Sequence, residues 1–283
     1  MIKTPLSTMI GGAFWTPGAT VIGGTSKTFD QLIKSLFENG EQGFVYDPND
    51  LSAMFQDAAG TVPVTAAGQP VGLILDKSGR NNHARQTNSA SRPILRKNAI
   101  TGAYYLEFDG SDDFLQTNSV DFTATDKVSL FVGVRKLSDI TSGAVAELSA
   151  STASNNGSFG LFAPDISSWQ DVTSFLKGDG TRSSLVARNY AAPISVLVTA
   201  KFDISANDKQ YLKVNSAVHT SALSVGSGFF GNYPLYIGRR EGTQYPLNGH
   251  IYGLIGVGRL VTDNETASIE KELAKRLGVT LSV

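Results

Sequence analysis

The sequence has no cysteine, few charged residues and no long hydrophobic run. Without cysteine the chain cannot form disulfides, iron–sulfur clusters or a catalytic thiol. Charged residues make up 17% of the chain, below the roughly 25% of an average soluble domain. The 24 lysines and arginines nearly balance the 25 aspartates and glutamates, so no whole-chain charge attracts nucleic acid or acidic lipid. No apolar run approaches the roughly 18 residues of a membrane helix. Neither a nucleic acid nor a membrane is therefore expected as a partner.

Hydroxyl-bearing residues and glycine take the place of charge. The 283 residues include 29 serines, 23 threonines and 29 glycines. A surface made polar by hydroxyl groups and turns, rather than by long charged helices, indicates an all-β protein. The length suits one large domain or two small ones.

Apolar residues alternate with small or polar ones from about Gly43 onward, and this period of two predicts β-strands. The alternation covers 104–108, 128–134 and 194–202, and Ile251, Ile255 and Val257 are expected on one face of a further strand. Turn-forming segments such as 177–180 and 205–208 separate the strands. Many short alternating strands predict an antiparallel sandwich or barrel rather than a parallel α/β sheet.

Two helices are predicted, one before the strands and one after them. The first carries an apolar stripe at helical spacing, formed by Phe29, Leu32, Ile33, Leu36 and Phe37. Capping-box patterns precede both helices, at 28–31 and at 262–265, and Gly278 is expected to end the second. The stripe of the first helix must be covered, either by the following domain or by another subunit.

The first 25 residues form a segment rich in glycine and proline, which predicts an extended arm. Phe14 and Trp15 lie within it, and such aromatic residues either dock on a surface or form a local cluster. Docking is the favoured interpretation. The arm and first helix (residues 1–42) are therefore predicted to anchor the chain, ahead of a domain over residues 43–283.

Five segments of this domain occur in a characteristic order. They are 75–84 (LDKSGRNNHA), 105–115 (YLEFDGSDDFL), 211–215 (YLKVN), 235–238 (LYIG) and 247–252 (LNGHIY). In this order they resemble the laminin-G-like, concanavalin A-like domains, with their D-x-S-G-x-x-N-H and F-D-G-x-D-D motifs. The resemblance implies an all-β jelly-roll β-sandwich with a short N-terminal helix and a C-terminal helix.

The segment 44–57 (FVYDPNDLSAMFQD) resembles the opening of such domains in tailed-phage and prophage structural proteins. With the arm, and with no secretory signal visible, this resemblance implies a non-enzymatic virion protein of capsid, head fibre or tail, assembled in the host cytoplasm. It also implies a homotrimer whose arm contacts other virion proteins. The alternative is a carbohydrate-binding lectin module for attachment to host-surface glycans, and a glucanase-like glycoside hydrolase comes third.

A carbohydrate site would use aromatic faces together with amide and hydroxyl groups. Turn-rich segments supply six candidate residues: Trp169, Tyr190, Tyr233, Tyr245, Asn155 and Asn156. Some of these aromatic residues are instead expected to cap the core.

An acidic segment follows the predicted strand 104–108. Glu107, Asp109 and Asp112 are close to the E-x-D-x-x-E pattern of concanavalin A-like glucanases, which need two carboxylates about 5–5.5 Å apart when they retain configuration. Asp109, Asp112 and Asp113 could instead hold Ca²⁺, as in many laminin-G-like domains, because this ion takes carboxylate oxygens. The favoured interpretation is a structural turn in which these side chains accept backbone N–H bonds. No other cofactor is expected.

Overall fold

Apolar strands pack into two sheets that face each other, and two helices cover the outside of one of them. The computed structural model describes residues 8–10, 13–15, 27–151, 154–166, 169–205 and 210–281. All strand pairings in these ranges are antiparallel. This architecture agrees with the predicted all-β sandwich.

The described chain contains nineteen strands and two α-helices. In chain order these are β1 (Thr8–Ile10), β2 (Ala13–Trp15), α1 (Phe29–Leu36), β3 (Gly43–Tyr46), β4 (Met54–Phe55), β5 (Leu73–Ile74), β6 (Ala84–Arg85), β7 (Ile94–Lys97), β8 (Tyr104–Asp109), β9 (Leu115–Asp121), β10 (Lys127–Lys136), β11 (Ala144–Leu148), β12 (Ser158–Phe162), β13 (Asp171–Lys177), β14 (Ser183–Arg188), β15 (Ile194–Asp203), β16 (Gln210–Val214), β17 (Ala217–Ser221), β18 (Asn232–Ile237), β19 (Asn248–Val257) and α2 (Asp263–Leu277).

The front sheet has the order β17-β16-β15-β10-β19-β8-β7, with β3 paired along the remaining part of β19. The back sheet has the order β14-β13-β12-β11-β18-β9-β6-β5-β4. Their inner faces form the main core, to which β10 contributes Val128, Leu130, Val132 and Val134. The predicted alternation of β10 therefore marks its inner face.

A second core lies between the helices and the outer face of the front sheet. Leu36 of α1 and Leu273 of α2 are fully buried there, together with Phe131 of β10. The capping boxes predicted at Thr28 and Thr262 are both present. The helices are thus part of the domain, and α1 packs across the boundary placed at residue 42 from sequence.

Of the two alternatives left open for the α1 stripe, the structure shows the following domain as its cover, so these residues are not exposed for the predicted anchoring. Leu32, Ile33 and Phe37 are 6%, 3% and 6% exposed, and Phe29 packs against the same second core. The physical reason is that the outer face of the front sheet is itself apolar, so the stripe is covered within its own chain. The homotrimer stays a prediction, but the α1 stripe does not supply a contact surface for it.

The arm is described only through the backbone of one hairpin, in which Thr8–Ile10 pairs with Ala13–Trp15. The side chains of Phe14 and Trp15, and with them the predicted docking, lie outside the described residues. Where the structure describes the chain, no helix has both the length and the apolar character required to cross a membrane.

A bulge in β19 changes which face its side chains occupy. The register with β10 shifts between Gly133 and Val134, so that Gly133 faces Gly253 and Val134 faces Ile251. Ile251 therefore lies in the main core, whereas Ile255 and Val257 lie in the second core. The prediction that these three residues share one face is wrong because an extra residue reverses the alternation.

The D-x-S-G-x-x-N-H segment ties the loop 76–83 to β3. Asp76 Oδ1 accepts the backbone N–H groups of Val45 (2.8 Å) and Ser78 (2.9 Å). Asp76 Oδ2 accepts the Ser78 hydroxyl (2.6 Å) and the Asn82 backbone N–H (3.0 Å). His83 Nδ1 accepts the Asp76 backbone N–H at 3.0 Å. This motif is a structural junction of the sandwich.

Candidate functional site

A cleft lies where α2 crosses the outer face of β15 and β16. It has a volume of about 560 Å³. We call it the α2 cleft, and its lining residues are Lys201, Asp203, Tyr211, Lys213, Leu260, Asp263, Thr266, Ala267 and Glu270. It combines apolar surface with charged and hydroxyl groups, which is typical of small-ligand sites.

The polar side chains that line this cleft come from the outer face of β15 and β16 and from α2. Leu212 and Val214 of β16 are buried in the main core, so Tyr211 and Lys213 lie on the opposite, outer face of the strand. On α2, Ile269 and Leu273 pack in the second core, while Thr266 and Glu270 line the cleft.

Glu270 forms a fixed, buried part of the wall. The residue is 4% exposed, and its Oε1 accepts a hydrogen bond from the Thr199 hydroxyl at 2.8 Å. Its Oε2 accepts Lys213 Nζ, also at 2.8 Å. Buried carboxylates need such partners because desolvation of an unpaired charge is costly. Glu270 therefore holds Lys213 in place at the side of the cleft.

Lys201 and Tyr211 form the neighbouring part of the wall. Lys201 Nζ donates to the Val261 carbonyl at 3.2 Å and lies 3.9 Å from Asp263 Oδ1. The same ammonium lies 5.8 Å from the centroid of the Tyr211 ring. Burial raises the pKa of Tyr211, and the charges of Glu270 and Asp263 add to this against the opposing charge of Lys213. Its phenol is thus a neutral hydroxyl that can donate a hydrogen bond.

Thr266 contributes a hydroxyl that has no protein partner among the described residues. The residue is 8% exposed, and its Oγ1 is buried without a hydrogen bond. Buried polar groups are nearly always hydrogen-bonded, so this hydroxyl needs a partner from outside the described chain, such as water or a ligand. The α2 cleft thus offers one aromatic ring, a buried hydroxyl and several charged groups to a polar molecule.

The six carbohydrate-site residues predicted from sequence do not meet in one site. Asn155, Asn156 and Tyr233 lie together, because the Tyr233 hydroxyl donates to the Asn156 carbonyl at 3.0 Å. This contact lies beside Ser158, at the start of β12.

The other three aromatic residues lie near the opposite end of β12. Trp169 is stacked under Arg188, whose guanidinium carbon lies 4.0 Å from the ring centroid. Tyr190 is joined to Gln170 by a backbone hydrogen bond and packs on the main core. Tyr245 packs edge-on against Phe162 and is 39% exposed. Phe162 lies four positions after Ser158, a rise of about 13 Å along the strand.

The acidic segment forms the predicted turn. Asp109 Oδ1 accepts the backbone N–H groups of Ser111 (2.8 Å) and Asp112 (3.3 Å), and Asp113 Oδ2 accepts that of Asp109 (3.1 Å). Asp112 Oδ2 accepts the Ser91 hydroxyl at 2.6 Å. Burial, and then the charge of Asp109, raises the pKa of Asp113 to about 6. The carboxylate oxygens of the three aspartates lie within 4.8 Å of one another, but each carboxylate already has a protein donor.

We expect excess Ca²⁺, compared with EDTA, to leave the melting temperature unchanged, because an N–H or O–H group already donates to one oxygen of each carboxylate. Asp109→Asn should lower stability by about 1 kcal/mol, since it weakens two local hydrogen bonds. Thermal unfolding with and without Ca²⁺ checks both statements. A melting temperature that rises with Ca²⁺ and falls again with EDTA would contradict the structural interpretation.

Glu107, the other carboxylate of the glucanase-like pattern, is paired with a cation. Arg96 donates to Glu107 Oε1 through Nε (3.2 Å) and through its terminal nitrogen (3.0 Å). Glu107 Oε2 lies 3.9 Å from His250 Nε2. Burial lowers the pKa of His250 to about 4, so this imidazole is neutral at physiological pH. Glu107 and Asp109 thus have separate partners, an arginine in one case and a turn in the other.

The residues of the α2 cleft were not among the site residues predicted from the sequence. Tyr211 and Lys213 were recognised only as part of a strand motif. Their alternation with the apolar residues at 212 and 214 could have indicated an outer face. The partner surface on α2 had no such signal, because nothing in the sequence indicates which strands a helix crosses.

The fold resembles that of botulinum neurotoxin binding domains. The binding domain of botulinum neurotoxin DC in complex with SialylT aligns with a TM-score of 0.51 and 13% identity over 80% of this chain and 52% of that chain. The serotype D ligand binding domain in complex with N-acetylneuraminic acid aligns with a TM-score of 0.52 and 13% identity, over 70% of this chain and 48% of that chain. The receptor binding domain of botulinum neurotoxin D aligns with a TM-score of 0.50 and 12% identity, over 70% of this chain and 50% of that chain. At such identities the similarity shows the fold alone, and it agrees with the predicted jelly-roll β-sandwich.

No protein-family model and no curated protein sequence matches the chain. The chain spans about half the length of the neurotoxin domains, so the ligands named with them are ligands of those proteins. None of these neighbours is a virion protein. The phage origin, the virion location and the homotrimer therefore stay predictions from the sequence.

Proposed function

We propose that the chain is a lectin-like carbohydrate-binding domain and that the α2 cleft holds the saccharide. The observation that carries this proposal is the presence, in one cleft, of the Tyr211 ring and the buried, unpartnered hydroxyl of Thr266. A saccharide presents an apolar face of C–H groups that packs on an aromatic ring. Its hydroxyl groups donate to and accept from polar side chains, as those of the cleft do.

Two further observations support this function. The cleft volume of about 560 Å³ lies within the roughly 300–1,000 Å³ of ordinary ligand pockets. Two neurotoxin domains of the same fold are complexes with SialylT and with N-acetylneuraminic acid, so this fold occurs in saccharide-binding proteins.

The test is binding of the full chain to a glycan array, followed by calorimetry with the best saccharide. Tyr211→Ala should weaken binding at least about tenfold, because it removes the ring on which the sugar packs. Tyr245→Ala is the matched control, since Tyr245 is an exposed tyrosine of the sequence-predicted set and packs on Phe162 of the back sheet. It should bind as the unmodified chain does.

Two outcomes would contradict the proposal. If no saccharide binds, the chain is not a lectin. If Tyr245→Ala weakens binding while Tyr211→Ala does not, the chain binds saccharides elsewhere, and the α2 cleft is not the site.

A further inference from the structure

Resting on the proposed function, we infer that the α2 cleft selects uncharged saccharides and discriminates against acidic ones such as sialylated glycans. The cleft contains two cationic side chains and three carboxylates: Lys201, Lys213, Asp203, Asp263 and Glu270. Its formal charge is therefore −1. The argument depends on how each of these charges is engaged.

The charge of Lys213 is already balanced by a buried carboxylate. Its Nζ lies 2.8 Å from Glu270 Oε2, and Glu270 is 4% exposed. A sugar carboxylate that reached a remaining N–H of Lys213 would lie close to the Glu270 carboxylate, and the two like charges repel.

Lys201 is similarly engaged. Its Nζ donates to the Val261 carbonyl and lies 3.9 Å from Asp263 Oδ1. A carboxylate placed on Lys201 would have to approach Asp263 at close range, and like charges repel. At each lysine, an acidic sugar would therefore meet a carboxylate that already lies beside the ammonium group.

The carboxylates at the rim act in the same direction. Asp263 is the first residue of α2, and its side chain is fully exposed. Asp203 lines the other side of the cleft, but Lys127 Nζ lies 3.4 Å from it and offsets its charge, so Asp263 is the main source of repulsion at the rim. Carboxylate oxygens accept hydrogen bonds from sugar hydroxyls, whereas they repel a sugar carboxylate. The cleft thus favours a neutral, hydroxyl-rich ligand, in contrast to the N-acetylneuraminic acid bound by a neurotoxin neighbour.

The test compares pairs of oligosaccharides that share one neutral core and differ only in a terminal sialic acid. We expect the full chain to bind the neutral member at least about tenfold more tightly. Asp263→Asn should reduce this preference several-fold, because it removes the exposed negative charge at the rim. Asp263→Lys, a second variant, should reduce it further. Glu38→Gln is the matched control, since it removes an exposed negative charge outside the cleft, and should leave the preference unchanged.

The outcomes separate the inference from the proposed function. Equal or tighter binding of the sialylated member would overturn the inference while leaving the lectin function intact. A preference for the neutral member that neither Asp263 variant changes would also overturn it, because the charge of the cleft would not be its cause. Absence of binding to both members would overturn the proposed function and the inference with it.

Discussion

Replacing Asp76 with alanine is expected to lower the free energy of unfolding by about 4 kcal/mol. The buried carboxylate accepts four hydrogen bonds, from Val45, from Asn82 and twice from Ser78. Hydrogen bonds to a charged group contribute about 1.5–3 kcal/mol each, and bonds that share one carboxylate are not additive. Alanine would also leave the N–H groups of Val45 and Asn82 without their acceptor.

Chemical denaturation of the two chains measures this difference. Asp121→Ala is the matched control, because among the described residues the side chain of exposed Asp121 accepts only from the backbone and hydroxyl of Thr123. Asp121→Ala should lower the free energy of unfolding by only a small fraction of the decrease caused by Asp76→Ala. If Asp76→Ala and Asp121→Ala lose similar amounts, the junction at 76–83 does not hold the sandwich together.

The motif at Asp76 shows what a sequence resemblance can and cannot supply. The D-x-S-G-x-x-N-H segment helped to predict the fold correctly, but a pattern of residue types does not say which groups it joins. Its partners lie far away in sequence, since Asp76 reaches Val45 and Asn82 reaches Gln42. Only the three-dimensional structure shows that the motif holds β3 and the loop 76–83 together.

Local features of the sequence predicted local structure well. The capping boxes at Thr28 and Thr262 and the left-handed glycine cap at Gly278 are confirmed. These devices involve residues that are three or four apart, so the sequence contains both partners. The alternation of β10 and β15 is confirmed as well, because a strand turns every second side chain to the same face and the sequence alone contains that period.

Long-range packing explains what the sequence left open. The α1 stripe had two alternative partners, and the apolar outer face of the front sheet decides between them. The back-sheet strands β11, β12 and β13 are buried on both faces, so they lack the alternation that marks a half-exposed strand. The α2 cleft could not be predicted because Tyr211 and Thr266 come together only when the helix docks.

The pH dependence of stability is expected to include a large contribution from Glu147. This residue of β11 is fully buried. Its Oε1 accepts the Ser149 hydroxyl, and its Oε2 lies 3.9 Å from Arg240 Nε without a hydrogen bond among the described residues. Burial raises the pKa of Glu147 from 4.5 to about 7, against the opposing effects of the Ser149 hydrogen bond and the Arg240 charge.

Glu147→Gln should therefore change how the free energy of unfolding depends on pH, and not only its value at one pH. Above the folded pKa of about 7 both states are ionised, and folding bears the full cost of a buried carboxylate. As the pH falls toward 4.5, the folded state takes up its proton first and this cost disappears. Relative to the glutamine variant, the unmodified chain should gain at most about 3 kcal/mol between about pH 8 and about pH 5. Asp113 and His250, which also titrate with shifted pKa values, are present in both chains and cancel in the difference. Denaturation profiles that stay parallel across this range would show that Glu147 is not the titrating group.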